Sequence, residues 1–169
     1  MTLLQTRAAL ATALLLGLPA ADAEDAAALA KQLSNPVAAL ISVPLQSNWE
    51  QNIGPDDRGS RYTLNIQPVI PISIGEDWNL ISRTILPVVD QWGIYSGTDG
   101  QFGLSYTVQS LFFSPKAPTA GGLIWGAGPV FLLPTATDEL LGSEQWGAGP
   151  TAVGLVQKGP WTLGLLANH

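Results

Sequence analysis

The chain has 169 residues, of which 46% are hydrophobic and only 12% charged, with a formal net charge of −6 and no cysteine. An acidic chain without a basic run offers phosphate no counter-charge, which argues against nucleic acid as a partner, and the missing thiols exclude disulfides and thiolate chemistry. A typical soluble domain is about 25% charged, so this composition suits contact with lipid better than a surface turned wholly to water.

Taken in order, the chain opens with a secretory leader pattern. Arg7 supplies a positive start, Ala8 to Leu18 an apolar stretch, and Ala21-Asp22-Ala23 a small-residue cleavage site. Residues 1–23 are therefore expected to be a signal peptide that sends the chain through the Sec pathway. Its removal takes one Arg and one Asp and leaves the net charge unchanged. Residues 24–36 read as a short Ala-rich helix and linker, opened by acids and closed by Ser34-Asn35-Pro36. Beyond them no stretch of about 18 apolar residues appears, so a helical membrane span is not expected.

Residues 37–169 read instead as strands, near 37–49, 61–74, 78–90, 102–113, 123–133, 146–157 and 161–169. The clearest is the run from Arg61 to Ile74. Its even positions (Tyr62, Leu64, Ile66, Pro68, Ile70, Ile72, Ile74) are all apolar, and its odd positions are mostly polar and uncharged. Strand side chains alternate between faces, so one face is greasy and the other hydrogen-bonding. Gly75-Glu76-Asp77 then turns the chain back into a run of similar length, as a hairpin requires. Long polar links at 50–60, 91–101 and 134–145 alternate with shorter ones at 75–77, 114–122 and 158–160. That rhythm matches the external loops and periplasmic turns of an outer-membrane barrel. The fold class expected is thus all-β, an antiparallel up-and-down transmembrane β-barrel of which about seven strands are present.

The aromatics gather at the ends of these runs. Trp49, Tyr62, Trp92 and Trp146 flank the long links, and Trp78, Phe112, Trp125 and Trp161 flank the short ones, as interface girdles would. The lumen would be lined by Gln46, Asn65, Gln67, Asn79, Arg83, Thr107 and Gln109. Arg83 should point inward, because a charge on the lipid face near midplane costs about 2–4 kcal/mol. Trp125-Gly126-Ala127-Gly128-Pro129 recurs as Trp146-Gly147-Ala148-Gly149-Pro150, which marks related β-units whose glycines allow close approach or bulges. Pro44, Pro68, Pro71, Pro87, Pro129 and Pro150 fall inside the proposed strands. Each lacks an N–H, so bulges or kinks are expected there.

Catalytic chemistry has little to work with. His169 is the single histidine, the acidic pairs Glu76-Asp77 and Asp138-Glu139 are adjacent and lie in links, and no phosphate-binding or dinucleotide fingerprint occurs. No enzyme activity, metal or cofactor is expected. The expected function is passive passage of small, hydrophobic solutes across the outer membrane, with the lipid bilayer as partner. The alternative is a secreted soluble β-sandwich or lipocalin-like small-molecule binder with its apolar face turned inward.

Several stretches carry a resemblance. They are Asn35 to Gln46 (NPVAALISVPLQ), Asn52-Ile53-Gly54-Pro55, Leu64 to Val89 (LNIQPVIPISIGEDWNLISRTILPVV), Gln109 to Pro118 (QSLFFSPKAP), Trp125 to Val153 and Gly159 to His169. Together they resemble the bacterial outer-membrane "transporter" family grouped with the meta-pathway of phenol degradation, some members of which carry the misleading label neuromedin U. The resemblance implies a β-barrel in the outer membrane that passes hydrophobic or aromatic compounds. Members of that family are longer and continue with further strands, so the resemblance also implies that this sequence is an N-terminal fragment. An odd strand count and a last run that stops in mid-strand agree with that expectation.

Overall fold

Alternation of apolar and polar side chains builds one antiparallel sheet, curled into a half-barrel. The computed structural model describes residues 9–12, 23–33, 35–95, 97–142, 144–159 and 161–169. One helix, α1 (Ala23–Leu33), accompanies ten strands: β1 (Ala9–Thr12), β2 (Leu45–Ile53), β3 (Gly59–Ile66), β4 (Val69–Ser73), β5 (Trp78–Trp92), β6 (Gln101–Leu104), β7 (Thr107–Pro115), β8 (Leu123–Leu133), β9 (Gly147–Lys158) and β10 (Trp161–Asn168). β3 and β4 are two halves of one long strand along β5, and β6 and β7 are two halves of another on its other side. Counted so, seven long strands follow one another up and down in chain order. No described helix is long and apolar enough to cross a membrane.

The expected leader lies mostly outside the described residues. Within it Ala9–Thr12 pairs antiparallel with Leu45–Asn48 along the edge of β2. The expected run at 37–49 is corrected: the strand is continuous only from Leu45, a single bridge between Ser42 and Val69 carries its register a little further back, and Val37 packs on the inner apolar cluster instead. Polar ends of the other runs belong to strands rather than links, β2 reaching Ile53 and β5 reaching Trp92. Polarity misleads there because one face of this sheet is itself polar.

Three of the six prolines sit where a ladder breaks, whereas Pro71 and Pro150 lie inside the unbroken β4–β5 and β8–β9 ladders. Pro68 lies in the gap between β3 and β4. Pro87 stands where β5 changes partner from β7 to β6. Pro129 lies where the ladder between β7 and β8 skips Leu111 and Phe112. A residue without an N–H costs nothing where no bond was to be made.

Register fixes the two faces. On β5 the odd residues, among them Asn79, Ile81, Arg83, Val89 and Gln91, face inward, and Ile81 and Gln91 are wholly buried. Pairing carries the same face to Val69, Thr63, Asn65, Ser110, Phe112, Val130, Thr151 and Val153. Val37, Val69, Ile81, Phe112 and Val153 form a buried apolar cluster, joined by Ile124 and Leu166. Side chains from strands this far apart can meet only on the concave side of a curled sheet. The opposite, convex face carries Leu64, Ile66, Ile70, Ile72, Leu80, Leu86 and Val88, with Ile70 and Ile72 nearly half exposed. Leu163 and Leu165 extend that exposed apolar surface along β10.

The two copies of the Trp-Gly-Ala-Gly-Pro motif lie on neighbouring strands, β8 and β9, with Pro129 directly opposite Pro150. Gly126, Gly128, Gly147 and Gly149 all fall on the inner face by register. A Cβ at Gly126 would press on Val37 Cγ1 at 3.1 Å and Phe112 Cβ at 3.2 Å, and one at Gly128 would strike the carbonyl oxygen of Leu111. Backbone cannot step aside as a side-chain tip can. Gly128→Ala should therefore destabilise the sheet by about 1–3 kcal/mol, read as a lower denaturation midpoint, whereas Gly121→Ala, with open space around it, should change little.

Candidate functional site

The inner face is where the longest side-chain hydrogen-bond network of this sheet runs. Its middle carries a relay of side-chain amides: Arg83 Nη2 donates to Gln67 Oε1 at 2.8 Å, Gln67 Nε2 to Gln46 Oε1 at 2.8 Å, and Gln46 Nε2 to Asn48 Oδ1 at 3.2 Å. These residues come from β5, the β3–β4 junction and β2, brought side by side by the antiparallel register.

Toward the long links lies a second group. Arg61 Nε donates to Gln91 Oε1 at 2.8 Å, and Gln91 Nε2 donates to Gln101 Oε1 at 3.0 Å and to the Leu140 carbonyl at 3.2 Å. The link after β8 folds in over this group rather than away from it. Ser105 Oγ donates to the Leu141 carbonyl at 2.6 Å, Thr137 N to the Leu104 carbonyl at 3.0 Å, and Thr135 Oγ1 to the Ser105 carbonyl at 2.8 Å. A recess of about 190 Å³ remains, lined by Arg61, Thr63, Asn65, Pro87, Val89, Gln91, Ser105, Tyr106 and Leu141.

Toward the short turns the inner face is closed by the N-terminal segment. Asn35 Oδ1 accepts from Val37 N at 3.0 Å and turns the chain after α1, so that Val37 drops onto the apolar cluster. Ser42 and Val69 then exchange backbone bonds of 3.1 and 2.8 Å. α1 itself is held at the β9–β10 end, where Gln157 Nε2 donates to the Lys31 carbonyl at 2.9 Å and Lys31 Nζ to the Gly159 carbonyl at 3.3 Å.

Of the residues chosen from sequence, Gln46, Asn65, Gln67, Asn79 and Arg83 lie on the inner face. Thr107 is buried in a bulge, its hydroxyl 2.7 Å from that of Thr135, and lines no part of the recess. Gln109 is a correction. It pairs with Thr84 and bonds to Thr84 Oγ1 and Ser82 Oγ at 2.6 and 3.0 Å, all on the outer face. The cause is the bulge: Ser105 bonds to Pro87 and Val108 pairs with Ile85, so three steps on one strand oppose two on the other. Parity reverses after such a bulge.

The same reversal corrects Phe112, expected in a girdle and found fully buried in the inner cluster, while Phe113 takes the outer face at 47% exposure. The other aromatics sit at the strand ends on the outer side. Trp49 meets Tyr62 and Trp92 at ring separations of 6.0 and 5.6 Å. Trp78 meets Trp125 edge-on at 5.9 Å, at the other end of β5. Trp146 and Trp161 are 73% and 78% exposed. Sequence reasoning missed Arg61 and Gln91, although both share the odd parity of Asn65 and Arg83. Gln91 falls in the polar link 91–101 by composition, and Arg61 opens its run as the one charge among its odd positions.

Among the described residues no cluster of His, Cys, Asp or Glu is placed to hold a metal ion. Comparison with family models, with curated proteins and with solved structures gave no match.

Proposed function

We propose that this sheet is part of the wall of a bacterial outer-membrane β-barrel, exported through the Sec pathway, that passes small hydrophobic or aromatic solutes passively along its inner face. The observation that carries the proposal is the apolar outer face, with Leu64, Ile66, Ile70, Ile72, Leu80, Leu86 and Val88 turned outward, against an inner face on which amides, hydroxyls and two arginines stand beside one apolar cluster. Water selects the reverse arrangement in a soluble sandwich or lipocalin-like binder, whereas hydrocarbon selects this one. Dimensions agree. A strand of 15 residues such as β5 is about 50 Å long and spans about 38 Å along a barrel axis at a tilt of about 40°. That lies between the roughly 30 Å hydrocarbon core and the 40–45 Å bilayer with its headgroups. Aromatic pairs stand at both ends of that span. The function needs no catalytic group.

The test is fractionation of a Gram-negative host that expresses the protein with its leader. The protein should stay in the outer-membrane pellet after alkaline carbonate extraction, begin at Glu24, and migrate differently in SDS before and after boiling. Recovery as a soluble periplasmic protein would overturn the proposal.

A further inference from the structure

We propose that the recess beside Arg61 binds a small organic carboxylate with a compact apolar body, the guanidinium taking the carboxylate. The inference deepens the reading of the inner face as a solute path and rests on it for its physiological meaning. Among the described residues Arg61 makes one hydrogen bond, from Nε to Gln91. That bond fixes the plane of the guanidinium and leaves its two terminal nitrogens for a ligand. A planar fork of donors fits a carboxylate in bidentate fashion, with short charge-assisted bonds.

The rest of the lining divides cleanly. Thr63, Asn65 and Ser105 add neutral hydrogen-bonding groups, whereas Pro87, Val89 and Leu141 form an apolar wall with the ring of Tyr106 beside it. No carboxylate lines the recess. Glu50 pairs with Arg61 across the β2–β3 ladder but is not part of the lining. Size narrows the class further. A cavity of roughly 150 Å³ in another protein takes benzene, so about 190 Å³ admits one six-membered ring and its carboxylate.

Two probes of equal size separate charge from fit. Saturation-transfer NMR on the folded protein in deuterated detergent, with protein-free micelles as reference, would compare benzoate with benzyl alcohol. Benzoate should bind at least tenfold more tightly than benzyl alcohol, and Arg61→Gln should abolish that preference while the heat-modifiable band persists. Glu50→Gln, which removes a competing charge, should tighten benzoate several-fold. Equal affinity of the two probes for the unaltered protein would overturn the proposal without any variant, and so would an undiminished preference in Arg61→Gln. Benzoate preference in a protein that fails to enter membranes would uphold the site and sink the transport reading. A heat-modifiable barrel with no preference would sink the site alone.

Discussion

Phe112→Ala should lower the unfolding free energy by about 3–5 kcal/mol, as truncation of a fully buried aromatic does when the space left cannot collapse. Phe112 has no exposed surface and packs with Val37, Val69, Ile81 and Val153, residues drawn from three strands and from the segment after α1. Gly126 has no side chain to fill the space, and Val37 Cγ1 and Phe112 Cβ stand 3.1 and 3.2 Å from where its Cβ would lie. The neighbouring Phe113→Ala should cost less than about a third as much, since Phe113 is 47% exposed on the other face and loses part of its contact area only. Urea titration of both variants in the same detergent reads the difference directly. Equal costs would place both rings at one interface and dissolve the parity reversal at the bulge.

That reversal shows where the sequence stops being informative. From Arg61 to Ile74 the alternation is uninterrupted, and the faces read from it are those of the structure, through the break at Pro68. The break does not shift the parity, because Ile66 pairs with Leu86 and Val69 with Arg83, three steps on each strand. Between Ser105 and Val108 nothing in the residue types announces one extra residue, and the faces assigned to Gln109 and Phe112 on β7 are inverted. A period of two carries no memory of a slip. Val37 was unreadable for another reason. Its flanking stretch, Asn35 to Gln46, has the composition of a strand, but packing beside Gly126 on the inner face takes Val37 into the apolar cluster, and the chain joins the sheet only from the bridge at Ser42. Arg61 and Gln91 were legible in principle. Both obey the same odd parity, but Gln91, polar and at a strand end, looks like part of a link, and Arg61, though inside its run, has no sequence neighbour that marks a recess beside it.

Leu86→Arg should destabilise the protein by about 2–4 kcal/mol in a lipid bilayer, the cost of a charge on the lipid face near midplane. Leu86 lies on the outer face of β5, paired with Ile66, and stands near the middle of the strand between Trp78 and Trp92. An arginine there has the longest way to reach either headgroup region, so its head cannot escape to water at small cost. The same substitution on the inner face should be far milder. Asn48→Arg places the charge among the amides of Gln46 and Gln67, with Glu50 two residues along on the same face, and should stay within about 0.5 kcal/mol of the unaltered protein. Equilibrium unfolding in phospholipid vesicles measures both. A soluble sheet whose outer face meets water would treat Leu86→Arg as one more surface change, with a similarly small effect. A large cost at Leu86 with a small one at Asn48 requires hydrocarbon outside and a polar path inside, which is what a barrel that passes solutes must have.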